Sequence, residues 1–259
     1  MIRAEQISIG YKTGGKSARR TVCSGISFHI NKAGLVCLLG RNGVGKSTLL
    51  RTIAGAQPLL SGEVLINGTS VRHLSPSVLA KSVSIVTASP PEIGHTRVAA
   101  IVETGRFPYI NWMGNLDDSD REIISDALAS CKADHLADRF FDQLSDGEKQ
   151  KVMIARALAQ NTPIILLDEP TAHLDAVNRF IIMDLLHSLA ENHKKTILIS
   201  THDLDIALRK ADLLLLIDES SAVCDSSEKL IAKGQLAKYL DSGDYHFDAD
   251  ERNFRKSKL

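Results

Sequence analysis

The chain has 259 residues, 44% of them hydrophobic and 24% charged, with 31 basic and 31 acidic side chains. That length suits one large or two small domains, and the composition is ordinary for a soluble globular protein. The balanced charge gives no argument for a nucleic-acid partner, and no apolar run approaches the ~18–20 residues of a membrane span.

Residues 2–11 and 22–30 read as strands, the second with Ile26, Phe28 and Ile30 alternating with polar residues. Lys12, Lys16, Arg19 and Arg20 form a basic cluster in a Gly/Ser/Thr-rich stretch and read as a solvated loop. Met1-Ile2-Arg3-Ala4-Glu5 lacks the apolar region of a signal peptide, so work at a membrane would need another chain to span it.

Leu35–Leu39 is a continuous apolar run, the pattern of a buried parallel strand. Gly40-Arg41-Asn42-Gly43-Val44-Gly45-Lys46-Ser47-Thr48 follows and matches G-x-x-x-x-G-K-[ST], the phosphate-binding P-loop. A helical pattern runs from Lys46 to Ala54 and stops near Gly55. Glycines at 40, 43 and 45 are expected to take dihedrals closed to other residues, so that backbone N–H groups cradle an anion. The helix N-terminus adds its unpaired donors. Lys46 would reach the β- and γ-phosphates of a nucleotide, and Ser47 would ligate Mg²⁺.

Glu63–Ile66 is a short strand before the turn dipeptide Asn67-Gly68, and Val83–Val86 is another strand. From residue 88 to about 162 helical patterns take over after Pro90-Pro91, and this stretch is expected to be a helical insertion. Ser119 with Glu122 predicts a capping box that opens a helix running through Cys131. The buried sheet resumes at Ile164–Leu167 and continues at Ile197–Ser200 and Leu213–Ile217, with helices at 178–191 and 204–209 between. This alternation predicts an α/β core with a parallel sheet. Residues 219–259 are more polar and weakly patterned. Cys23, Cys37, Cys131 and Cys224 show no metal spacing and read as reduced thiols of a cytosolic protein, with Cys37 in the core.

Asp168 and Glu169 end the Ile164–Leu167 run, at the sheet edge where open α/β sheets bind ligands. Asp168 would serve Mg²⁺ directly or through water, and Glu169 would polarise a water for attack on the γ-phosphate.

With these features the chain resembles the ATP-binding subunits of ABC transporters over roughly residues 2–240, leaving 241–259 as a C-terminal tail. Leu144-Ser145-Asp146-Gly147-Glu148-Lys149-Gln150 is similar to the family signature and lies 23 residues before Asp168, counted from Ser145. Ala172-His173-Leu174-Asp175 resembles the D-loop, His202 the switch histidine, and Tyr11 the aromatic that stacks on adenine. The resemblance implies a P-loop NTPase core with a mixed sheet, N-terminal antiparallel strands and an inserted helical subdomain. It also implies ATP and Mg²⁺ as ligands, and a head-to-tail dimer in which Ser145 and Gly147 touch the γ-phosphate held by the other copy. Asp175 would join that site, and Glu169 and His202 would be its catalytic pair. A partner permease would place the chain peripherally on the cytoplasmic side of the membrane, served indirectly by an extracytoplasmic substrate-binding protein.

Two departures from the family pattern stand out. The family carries a Gln after the strand near 83–87, where this chain reads Val86-Thr87-Ala88-Ser89; Thr87 or Ser89 could hydrogen-bond a water ligand instead. Asp146 replaces the usual first signature Gly, and its side chain is expected to point away from the γ-phosphate. The segment from Gly105-Arg106-Phe107-Pro108-Tyr109 to Asp120 resembles the iron-siderophore, haem and cobalamin import branch, and Phe247-Asp248 to Phe254-Arg255 is loosely similar to its tail. The expectation is an importer of an iron chelate or related metal complex. The alternatives are a soluble ABC ATPase, an exporter subunit, or a nucleotide-binding regulator with little catalysis.

Overall fold

A computed structural model describes residues 1–12, 19–88, 93–110, 114–240, 245–248 and 253–256. Lys16, Ser89 and Pro90-Pro91, singled out above, lie outside the described residues.

The chain opens with an antiparallel pair, β1 (Ile2–Lys12) and β2 (Arg19–Ile30). Lys12, Arg19 and Arg20 therefore belong to strands: Lys12 pairs with Arg19 and Tyr11 with Arg20, which corrects the loop reading. β3 (Gly34–Leu39) leads through the P-loop into α1 (Lys46–Ile53). β4 (Ser61–Ile66) and β5 (Thr69–Ser70) join β1 and β2 in a four-stranded sheet of order β2-β1-β4-β5. The turn between them places Asn67 and Gly68 at φ 50° and 83°, the positive values a tight hairpin demands.

α2 (Pro76–Ala80) precedes β6 (Val83–Val86), after which the main described elements before β7 are helices: α3 (Val98–Glu103), α4 (Asp118–Ser130) and α5 (Asp146–Ala159). α4 begins two residues earlier than the Ser119–Glu122 box predicted. Asp117 is its cap: the Asp117 carboxylate accepts from Asp120 N at 2.8 Å, and Asp120 Oδ2 accepts from Asp117 N at 3.2 Å. Aspartate is as good an acceptor as serine at this position, and Asp120 is further tethered by Arg106 at 2.8 Å.

β7 (Ile164–Asp168), α6 (Ala176–Asn192), β8 (Thr196–Ser200), α7 (Leu204–Lys210) and β9 (Leu213–Ile217) alternate as expected. The weakly patterned end is also ordered into elements: β10 (Ala222–Asp225), α8 (Ser227–Ala232), α9 (Gln235–Leu240) and a hairpin of β11 (Tyr245–Asp248) with β12 (Asn253–Lys256). These pieces are four to six residues long, too short for a periodicity to emerge.

The main sheet has the order β10-β9-β3-β8-β7-β6, parallel except for β10. Its strands are apolar on both faces because both are covered. Leu35, Cys37 and Leu39 of β3 join a core with the helices of 98–190, whereas Val36 and Leu38 join a second core with α1 and the antiparallel sheet. Leu49, Leu50 and Ile53 wedge α1 into this second core with no exposed surface. Each such side chain contributes about 1.5–3 kcal/mol of burial. The packing fixes α1, and with it the P-loop, against β3, β7 and β8.

Candidate active site

Gly43 and Gly45 sit at φ 78° and 106°, the left-handed region that only glycine enters cheaply. Gly40 is different: its φ is not positive, and it is glycine because a Cβ would lie 2.6 Å from Ile217 O and 2.9 Å from Val44 Cγ1. The dihedral expectation thus holds for two of the three glycines, and close approach explains the third. Gly45 caps α1 without a side-chain bond, which leaves first-turn N–H groups free to bind an anion.

Lys46 is buried, its Nζ 2.9 Å from Gly40 O, 3.3 Å from Arg41 O and 3.5 Å from His202 Nδ1. Burial pushes its pKa down, against the opposing pull of Glu169 and Asp168. An anion placed here would relieve that penalty.

The acidic half forms around β7 and β8, whose register pairs Asp168 with Ser200. Asp168 Oδ1 accepts from Ser47 Oγ at 2.9 Å and from Ser200 Oγ at 2.7 Å. Ser200 Oγ in turn accepts from Glu169 N at 2.9 Å. This bond helps hold Glu169 at φ 50°, a conformation that is strained for a residue with a Cβ. Glu169 Oε1 meets His202 Nε2 at 2.5 Å. Lys46 has only donors, so His202 Nδ1 is the acceptor and Nε2–H donates to Glu169.

Ser47 Oγ and Asp168 Oδ1 are hard oxygens of the kind Mg²⁺ takes. Among the described residues no three His, Cys, Asp or Glu side chains gather into a metal cage. That fits an ion completed by substrate phosphates and water.

Tyr11, Arg20, Asn42 and Thr48 line a cavity of about 410 Å³ beside the P-loop. Tyr11 is 44% exposed, and its Oη lies 3.1 Å from Thr48 Oγ1, so the aromatic side chain is tethered beside the P-loop. Arg20, Ser200 and Arg179 are the site residues that sequence reasoning missed. Arg179 Nε donates to Leu174 O at 2.9 Å, and its Nη1 lies 3.6 Å from Asp203, which ties the D-loop to the segment after β8. For Ser200 the available signal was its place one strand over from Asp168 in the parallel register.

Ser145, Gly147 and Asp175 do not line the P-loop cavity. Ser145 caps α5 in a reciprocal box with Glu148, its N–H donating to Glu148 Oε2 at 2.9 Å. Asp175 caps α6, and hydrogen bonds from Asn178 N and Nδ2, 2.8 and 2.7 Å, hold its carboxyl below the ordinary range. A Cβ on Gly147 would lie 3.3 Å from Asn178 Oδ1, so α5 and α6 bring these three residues to one surface. The exposed Asp146 side chain lies 3.9 Å from Lys149 Nζ.

Residues 23–172 match the ABC transporter family. The achromobactin transport ATP-binding protein of Dickeya dadantii is 34% identical, over 92% of this chain and 86% of that one. The iron(3+)-hydroxamate import ATP-binding protein of Bacillus subtilis is 32% identical, over 97% and 91%. A solved ATP-binding cassette, dimeric and bound to ADP and Pi in a post-hydrolysis state, is 26% identical, with a TM-score of 0.70 over 87% of this chain and 98% of that one. Together with the strand–loop–helix phosphate cradle and the acidic pair beside it, these likenesses show that the chain belongs to the ABC transporter family, as one of its ATP-hydrolysing proteins.

Proposed function

We propose that the chain is the ATP-hydrolysing subunit of an importer that carries iron-siderophore complexes or similar metal chelates through a partner permease. The observation that carries the chemistry is the chain of bonds Ser47–Asp168–Ser200–Glu169 at the C-terminal edge of the parallel sheet, closed by His202. The cargo class follows from the names of the relatives, several of which are ATP-binding proteins of siderophore transport, ferric enterobactin transport or iron(3+)-hydroxamate import.

Residues 40–48 receive the triphosphate, with Lys46 donating to its β- and γ-oxygens and Tyr11 stacking on the base. Ser47 and Asp168 would hold Mg²⁺, which neutralises phosphate charge when bound. Glu169 takes a proton from the attacking water as the new O–P bond forms and the bridging bond to the γ-phosphorus breaks, giving ADP and phosphate. His202 orients that water and contacts the γ-phosphate. Ser145, Gly147 and Asp175 lie outside the cavity of their own P-loop, which supports a head-to-tail pair in which each copy completes the other's site. Loss of the γ-phosphate contact then lets the pair open, the kind of ligand-held switch that a permease can follow. No helix among the described residues is long and apolar enough to cross a membrane, which fits a peripheral subunit on the cytoplasmic face.

Co-purification from detergent-solubilised native membranes, with mass identification of the captured chains, tests this reading. A multi-span permease together with an extracytoplasmic binding protein is expected. Capture of no membrane protein would overturn it.

A further inference from the structure

One turn past the cap of α5, Gln150 presents a side-chain amide whose Nε2 is buried and has no hydrogen-bond partner among the described residues. A buried donor left unpaired is costly, and native proteins satisfy such groups with protein or ordered water. Gln150 lines a cavity of about 220 Å³ together with Ala88, Met153, Glu169, Pro170 and His173. That volume accommodates water, and Glu169, the residue assigned as the base, is part of the cavity's lining. Among the described residues of the loop after β6, Ala88 lines this cavity.

We propose that Gln150 is a positioning residue for hydrolysis. Its amide holds water in this cavity and through it orients Glu169, a task for which the Ala88 side chain has no polar atom. The signature helix thereby acts on the hydrolytic centre of its own chain as well as on the partner's. This inference rests on Glu169 being the general base.

The test uses the full chain captured with its membrane partners and compares steady-state hydrolysis of ATP by Gln150→Leu, Gln150→Leu with Ala88→Gln, and Glu169→Gln. Gln150→Leu keeps the volume and removes the amide. Its kcat is expected to fall roughly ten- to a hundredfold, the scale of misplaced catalytic geometry, with KM for ATP within about twofold of the parent. Ala88→Gln, which places an amide at another residue lining the cavity, is expected to recover most of that loss. A parental kcat in Gln150→Leu overturns the proposal. So does a loss that Ala88→Gln fails to recover and that tracks a lower melting temperature, since that assigns Gln150 to packing alone. Parental turnover in Glu169→Gln would instead remove the base assignment itself, which separates the two failures.

Discussion

Glu169 and His202 are joined at 2.5 Å, and the far ring nitrogen of His202 lies 3.5 Å from Lys46 Nζ. Carboxylate, imidazole and ammonium thus form one line across the mouth of the P-loop. The imidazole is oriented from both ends, so a γ-phosphate arriving at Lys46 also arrives at His202. His202→Ala is expected to lower kcat by about 10²–10⁴-fold, the usual weight of a positioned acid–base group. ATP affinity should stay within a few-fold. Steady-state hydrolysis alongside equilibrium nucleotide binding checks both; an unchanged kcat would separate His202 from the chemistry.

Lys46 has all three donors aimed at oxygen or nitrogen acceptors around the loop. Replacing it with Ala removes charge-assisted bonds to phosphate worth about 1.5–3 kcal/mol, or roughly ten- to a hundredfold in affinity. Titration calorimetry with ATP measures this directly. A pH effect follows from the same burial. The Lys46 pKa is lowered, so in the free protein the ammonium is lost at a lower pH than the ordinary 10.5. ATP affinity should therefore begin to weaken on the alkaline side before an exposed lysine would titrate.

Arg106 and Asp120 form a buried ion pair at 2.8 Å, and Arg106 Nη1 also donates to Ala159 O at 2.8 Å. Burial alone pushes the Asp120 carboxyl up, but hydrogen bonds from Arg106 and from Asp117 outweigh it and hold the pKa below 3.8. A depressed carboxyl stabilises the fold above its ordinary value, and that contribution is lost as pH falls through the lowered one. Asp120→Ala leaves the guanidinium buried without its counter-ion, at a cost of about 3–5 kcal/mol. Urea unfolding at neutral pH should register the loss, with the gap from the parent narrowing in acid. An equal midpoint at neutral pH would contradict the account.

The four thiols are free, and burial raises all of them: Cys37 farthest, Cys131 to about 12, Cys23 and Cys224 to about 11. At pH 8 the folded chain should react slowly with a thiol reagent, because the thiolate is the nucleophile. The denatured chain should titrate all four. Rapid labelling of the native protein would contradict the buried environments.

The P-loop, Asp168 and Glu169 were legible because each is local: an apolar strand, a fixed spacing and a helix start within a dozen residues. Ser200 was not, since its role exists only through the register that sets β8 beside β7. Arg20 read as loop because a Gly/Ser-rich stretch hides a strand continuing on either side of it. The Arg106-to-Asp120 segment was visible as a family resemblance, yet the reason for two of its residues is the buried pair they make. Gly40 was noticed for the wrong property, because crowding by Ile217 across the sheet leaves no trace near residue 40 in the chain.

The most direct test of the account is Glu169→Gln in the full chain captured with its membrane partners, read by ATP binding and by release of inorganic phosphate. The amide preserves shape and removes the base. Binding should persist at parental affinity, while phosphate release falls by about 10²-fold or more. Phosphate release near the parental rate would contradict the hydrolytic role of Glu169 and the mechanism built on it.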